Sequence, residues 1–463
     1  MRVACFADVH SDHMALETKK RSADPGEIAR NTSEHLFVSW SAQGGLKQVV
    51  IDRAEGSWLY SGQRRILDFG SGLVNVNLGH GHPKVVRAIQ EQAEKLCYVT
   101  PGFGEEQRAE LARLLAEVTP GDLTKTLFTT GGTEANEHAI RIARMYTGRH
   151  KILTQYRSFH GQTQGSMTLG GDNRRWANEP GITGVVRFFN PDPYRSPYGA
   201  SAQAALAHVE EVLWYEGPQY VAAILLEPIV GYAGLIIPPA GFFQGLRELC
   251  DKYGILLIAD EVMTGFGRTG KWFAMDHEGA VPDMMTFAKG VNSGYVPLGG
   301  VIVNEKISKH FDTNVLWAGL TYAGHPLACA AGVATVNAYR DEGIIERGAK
   351  MGELLLKELK TLATRHPSVG DVRGRGPFAG IELVKDRGTK EMLEAWNRPS
   401  VTLQTAIKNA LMSRDVYTLN RWNMIFAAPP LTVTEDEIHF GVKAIDEALD
   451  VADRFAATGQ LPA

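Results

Sequence analysis

The sequence predicts an α/β fold: a large domain with a mostly parallel sheet over residues 81–339, and a smaller α+β domain built from both chain ends, residues 31–80 and 340–463. Three observations predict it. Between about residues 120 and 335, short apolar runs alternate with helical segments, as strands joined by crossover helices do. The best of those runs, Gly254-Ile255-Leu256-Leu257-Ile258-Ala259, is continuously apolar and ends on the carboxylate of Asp260. Beyond residue 340 the pattern changes to long amphipathic helices separated by single strands.

Taken in order, residues 1–30 are polar, lack a secure period and lack the charged and apolar regions of a signal peptide, so an N-terminal arm is expected. Residues 47–78 hold strand-like stretches with turns at Glu55-Gly56 and Ser61-Gly62, which predicts a small antiparallel element. Pro83 suits the first turn of a helix reaching about Lys95. Leu111, Leu114, Leu115 and Val118 share one face of a helix over about 105–118. Strands follow at 125–128, 152–155, 221–226, 254–259, 284–288 and 300–303, with a helix over 134–146 burying Ala135, Ala139, Ile142 and Ala143. Met351, Leu355, Leu359 and Leu362 mark a long helix, and 378–383 a strand. Thr434-Glu435-Asp436-Glu437 is a capping box opening a last helix with Ile438, Val442, Ile445 and Leu449 inside.

Composition bounds the function. A chain of 463 residues can build more than one lobe. A net charge of −4 leaves no basic footprint for nucleic acid and no polybasic membrane anchor. No apolar run reaches the 18 residues of a membrane span. Cys5, Cys97, Cys250 and Cys329 lack CxxC spacing, so they read as reduced thiols of a cytoplasmic protein, with neither a disulfide frame nor a metal site.

The residues that carry chemistry stand at strand ends. Met284 to Ala288 is an apolar run that delivers Lys289 into the interior, followed at once by Gly290. Desolvation disfavours an ammonium and frees a nucleophilic amine. With Asp260, this is the pair that pyridoxal phosphate (PLP) requires: a carboxylate for the pyridine nitrogen and a lysine for the aldehyde. Thr129-Thr130-Gly131-Gly132-Thr133 joins a strand to a helix, so Gly132 and Thr133 offer close backbone approach, a hydroxyl and a helix N-terminus for an anion. Phe159, in Phe159-His160-Gly161, is an aromatic candidate to stack on a planar ring, with Val262 placed to cover the other face. Glu227, in Leu226-Glu227-Pro228, puts a further carboxylate at a strand's carboxyl end.

These motifs occur in a fixed order with Asp260-Glu261-Val262-Met263-Thr264-Gly265, Pro297-Leu298-Gly299-Gly300, Thr321-Tyr322-Ala323-Gly324-His325-Pro326 and Ala428-Pro429-Pro430-Leu431. Together they resemble the class III aminotransferases, PLP enzymes of fold type I, over about residues 35–455. The resemblance implies that Lys289 attaches the cofactor and then moves the substrate proton, and that Asp260 holds the pyridine nitrogen protonated. It further implies that Gly132 and Thr133 bind the phosphate, that Phe159 and Val262 enclose the ring, and that His160 and Glu227 belong to the same site. Thr321 is implied to reach the neighbouring subunit's phosphate, which makes a homodimer, or a dimer of dimers, with shared sites.

One departure bears on substrate. Family members acting on ornithine or 4-aminobutyrate carry an arginine just before Ala-Pro-Pro, where this chain has Phe426 and Ala427. The chain is more similar to the ω-amino acid and taurine aminotransferases, whose N-terminal aromatic stretch resembles Leu36-Phe37-Val38-Ser39-Trp40. Trp40 and Arg421 are then expected at the substrate, the guanidinium suiting a carboxylate or sulfonate. The expected reaction moves an amine from a small terminal-amino donor to a 2-oxo acid; an aminomutase, racemase or decarboxylase on the same scaffold is the alternative.

Overall fold

The computed structural model describes residues 24–44, 46, 48–396 and 401–461. Residues 1–23 of the expected arm, with Cys5, lie outside them. The chain divides into two units, Met1–Asp52 and Arg53–Ala463. In the first, the helix Pro25–His35 is opened by Asp24, whose carboxylate accepts from the amides of Gly26 and Glu27.

In the second unit, the described strands form three sheets. The largest runs, in spatial order, Leu123–Thr129, Gly299–Asn304, Met284–Phe287, Leu256–Asp260, Val221–Leu226, Lys151–Gln155 and Val185–Phe188. Its last five strands pair in parallel, and Gly299–Asn304 lies antiparallel to both neighbours. The central strands Val221–Leu226, Leu256–Asp260 and Met284–Phe287 are buried at every position, as the unbroken apolar runs require. The register pairs Leu226 with Ala259 and Asp260 with Thr286. Segments leaving the carboxyl ends of four adjacent strands therefore emerge together, and they carry Phe159, Glu227, Asp260 and Lys289.

Both ends of this unit meet in the smaller sheets. The antiparallel strands Arg53–Glu55, Trp58–Ser61 and Arg64–Asp68 are extended by Val416–Tyr417, parallel to the last of them. Val369–Arg375, Phe378–Asp386, Met424–Ala427 and Asn420–Arg421 form an antiparallel sheet, with Glu391–Met392 beside Phe378–Asp386. The expected capping box opens the helix Glu435–Thr458. Its Glu437 also accepts from Trp58 Nε1 (2.6 Å) and Ser57 Oγ (3.1 Å), so one cap serves as a tie between distant segments. No described helix is long and apolar enough to cross a membrane.

The expected strand over 284–288 stops at Phe287. Lys289 has φ 44°, in the left-handed region, and begins a single 3₁₀ turn, Lys289–Val291. A lysine backbone there costs roughly 1–2 kcal/mol, so surrounding contacts must impose it.

Candidate active site

A cavity of about 370 Å³ opens where the parallel strands end, lined by Gly132, Thr133, Phe159, His160, Glu227, Asp260, Val262 and Lys289 among others. These are eight of the eleven residues expected at the site. Asp260 is the most firmly held. His160 Nδ1 donates to its Oδ2 at 2.7 Å, Asn136 Nδ2 donates to the same oxygen at 2.8 Å, and the Val262 amide donates to Oδ1 at 3.1 Å. Asn136 is itself oriented, since Thr286 Oγ1 donates to its Oδ1 at 2.9 Å while Nδ2 also donates to the His160 carbonyl. Thr154 Oγ1 stands 3.3 Å from His160 Nε2, completing a buried chain from sheet to carboxylate.

Lys289 contributes an amine with no hydrogen-bond or ion-pair partner among the described residues. Burial lowers its pKa, opposed by the negative charges of Asp260 and Glu227. The turn that presents it depends on the following glycine. A Cβ on Gly290 would stand 2.6 Å from Asn77 Nδ2 and 2.8 Å from Phe266 Cβ, so only glycine fits. Tyr339 Oη donates to the Gly290 carbonyl at 2.8 Å and fixes the same peptide.

The helix Gly132–Thr147 begins at the cavity with no side-chain cap. Its first amides and positive dipole end are therefore available to an anion. A Cβ on Gly132 would lie 2.7 Å from Val262 Cγ1, so the close approach of this turn to Val262 requires glycine. Thr133 does not cap the helix; its Oγ1 accepts from the Gln162 amide at 3.3 Å. Glu227 is buried and accepts the amides of Phe159 (3.0 Å) and Gly231 (2.8 Å), one on each oxygen. Burial, with Asp260 adding, pushes its carboxyl up to about 7 against the opposing pull of His160 and the two amides.

The other three expected residues are not among those lining the cavity. Thr321 is exposed and does not line the cavity of its own chain; its carbonyl accepts from Tyr98 Oη at 2.9 Å. Trp40 belongs to the N-terminal unit, with φ 57°. Arg421 sits in the strand Asn420–Arg421, one layer behind the cavity: its guanidinium stacks 4.6 Å from the centroid of Tyr232, which does line the cavity.

Sequence reasoning missed Tyr232, Asn136, Asp172 and Arg174 as functional candidates. Arg174 stacks 3.8 Å from the centroid of Phe159 and approaches Tyr232 at 5.3 Å. Asp172 accepts from Arg174 Nε at 2.8 Å and lies 3.5 Å from Arg421, so one carboxylate joins both guanidiniums. Asn136 was legible as part of Gly132-Thr133-Glu134-Ala135-Asn136, one turn into an anion-facing helix. Arg174 carried only the signal of Gly170-Gly171-Asp172, which marks a turn and a cap.

The site fits a phosphorylated pyridine aldehyde. It offers an uncapped helix start for the phosphate, a fixed carboxylate for the ring nitrogen and an amine without a partner for the aldehyde.

Comparison with known proteins agrees. The family model for "Aminotransferase class-III" matches residues 40–449. Taurine–pyruvate aminotransferase of Bilophila wadsworthia is 36% identical over 452 residues, covering 93% of this chain and 98% of that protein. The leucine/methionine racemase of Thermococcus litoralis is 34% identical over 394 residues, covering 84% and 87%. Among solved structures, taurine:2-oxoglutarate aminotransferase from Bifidobacterium kashiwanohense, in complex with PLP and glutamate, superposes with a TM-score of 0.90 at 42% identity, covering 93% of this chain and 98% of that one.

Proposed function

We infer the reaction from the family: this chain belongs to the class III aminotransferases, PLP-dependent enzymes, and it transfers an amino group from a terminal-amino donor, such as taurine, β-alanine or another ω-amino acid or amine, to a 2-oxo acid, pyruvate or 2-oxoglutarate. The observation that carries this reading is the convergence of Lys289 and Asp260 on one cavity at the carboxyl edge of the sheet. When bound, the cofactor supplies an aldehyde for amines and a protonated ring that withdraws electrons from the carbon losing its proton. In this reading Lys289 would attach the cofactor through its aldehyde and would move the proton from the donor's carbon. Asp260 keeps the proton on the pyridine nitrogen, and His160 and Asn136 keep Asp260 in place. Gly132 and Thr133 would take the phosphate, Phe159 and Val262 would flank the ring, and Glu227 would shape the pocket beside them. Residues 81–339 then form the cofactor-binding domain, and residues 31–80 with 340–463 the smaller one.

The alternative is other PLP chemistry on this scaffold, such as racemisation, to which the likeness to a racemase lends support. The donor alone separates the two. A transaminase loses its yellow absorption stably on adding donor and regains it on adding a 2-oxo acid, whereas a racemase returns to its resting spectrum.

Arg421 and Arg174 are proposed to hold the acid group of the donor or acceptor. Arg421 Nε is buried without a hydrogen-bond partner, and burial lowers this guanidinium's pKa, a penalty that a bound anion relieves. Arg421→Ala is expected to cost roughly 2–4 kcal/mol, tens- to several-hundredfold in kcat/KM, with taurine, β-alanine or a 2-oxo acid. Simple primary amines lose far less in their own half-reaction, because they leave no acid group unpaired. Equal losses for all substrates would make Arg421 a support of the fold.

Thr321 is proposed to act across a homodimer boundary, with Trp40 lining the substrate path. Mixing Lys289→Ala with Thr321→Ala protomers should restore activity, because half of the sites in each heterodimer then keep both native residues. No recovery despite confirmed subunit exchange would place Thr321 within its own chain.

A further inference from the structure

We infer that Glu227 is a positioning residue that locks the Phe159 loop to the Tyr232 loop and thereby sets how tightly the amino donor is held, leaving proton transfer to Lys289. The inference rests on the transaminase reading above for its kinetic part only.

The geometry is specific. Glu227 follows the strand Val221–Leu226, is 5% exposed, and forms no ion pair with any described residue. Its oxygens are divided between two loops, Oε1 taking the Phe159 amide at 3.0 Å and Oε2 the Gly231 amide at 2.8 Å. The first loop follows the strand Lys151–Gln155; the second turns back between Val230 and Ile236, which bridge one another. Away from the cavity the second loop is anchored through its carbonyls, Leu235 to Arg373 Nε (2.8 Å) and Ala233 to Nε of Arg157, a residue of the first loop, so that the two loops are also joined there (3.0 Å). At the cavity the tie is Glu227.

The first loop carries Phe159, the ring proposed beside the cofactor, and the second carries Tyr232 of the proposed substrate wall. Arg174 lies over Phe159, Arg421 lies over Tyr232, and Tyr232 stacks on Phe426 at 6.0 Å and 16°. Asp172 joins the two guanidiniums to each other, while the rings beneath them stand on two backbones that share the Glu227 carboxylate. An ionised carboxylate accepts both amides with equivalent oxygens. Once protonated, one oxygen becomes a hydroxyl and a poorer acceptor, so one loop loses part of its hold. The charged groups facing Glu227 are His160, Asp260 and Lys289. With the carboxyl raised to about 7, the tie is complete above that pH and weakens as pH falls through it.

The test uses the holoenzyme and Glu227→Gln, an isostere whose amide presents one acceptor and one donor. Hydrogen–deuterium exchange at pH 8 is expected to speed about tenfold in peptides covering 156–161 and 229–236, the loss of one such bond, while the strand Leu256–Asp260 stays protected. The KM for β-alanine is expected to rise about tenfold, with kcat within about threefold and the fall in affinity through pH 7 removed. If the variant fails to fold, the wild-type protein carries the same test: both loops should lose protection between pH 8.5 and 6 beyond the intrinsic change in exchange rate. Unchanged exchange in both loops, or a fall in kcat with KM unaltered, overturns the inference. Because exchange is read without turnover, an error in the assigned donor leaves it decisive.

Discussion

Replacing Lys289 with alanine is expected to reduce turnover by about ten-thousandfold, the contribution of a positioned proton-transfer group, and to abolish covalent attachment of the cofactor. The expectation follows from how the amine is presented. It lines the cavity, has no partner among the described residues, and is made more nucleophilic by desolvation. Its backbone is held in a left-handed conformation by a glycine that has no room for a Cβ and by the Tyr339 hydroxyl. A protein maintains such a turn only where contacts over-determine it. Borohydride reduction of the yellow protein followed by peptide mapping should place the label on Lys289. The alanine variant should bind some cofactor without any label. Label on another lysine would remove Lys289 from the centre of the site.

Asp260→Asn is expected to leave the fold intact and to cost about 3–4 kcal/mol or more of transition-state stabilisation, at least about a hundredfold in rate. The amide retains the shape of the carboxylate and an oxygen for Asn136 and His160, and only the Val262 amide loses its acceptor. What it lacks is the negative charge that holds a proton on the ring nitrogen. Three donors converge on the carboxylate, which is 3% exposed, so its placement is fixed by its neighbours. Single-turnover rates with the amino donor give the measurement. A rate equal to that of the wild type would mean that the ring works unprotonated and that Asp260 serves packing alone.

The relation of sequence to structure differs between these two residues and the proposed substrate wall. Lys289 and Asp260 were legible because each ends a continuous apolar strand, and adjacent parallel strands release their carboxyl ends on one side of a sheet. Gly132, Phe159, Glu227 and Val262 followed for the same reason, being a few residues beyond strand ends. Of the proposed substrate wall, Arg421 was expected from the family resemblance, whereas Tyr232 and Arg174 did not follow. Tyr232 stands within a turn, Arg174 in the 3₁₀ segment Asn173–Asn178, and Arg421 in a two-residue strand on another sheet. No periodicity links positions so far apart, and guanidinium–ring stacking leaves no mark in spacing.

By itself, then, the sequence determined the alternation of strands and helices in the large domain, the family and the residues proposed for the reacting centre. Each of these depends on local apolar pattern or on short motifs whose geometry the chain carries with it. Only the tertiary structure decided that Lys289 leaves its strand in a left-handed turn, because that conformation is imposed by Asn77, Phe266 and Tyr339 from elsewhere in the chain. It likewise decided that Asp172 joins Arg174 to Arg421 and that Glu227 divides its oxygens between two loops, since buried polar groups take whatever partner folding brings within reach.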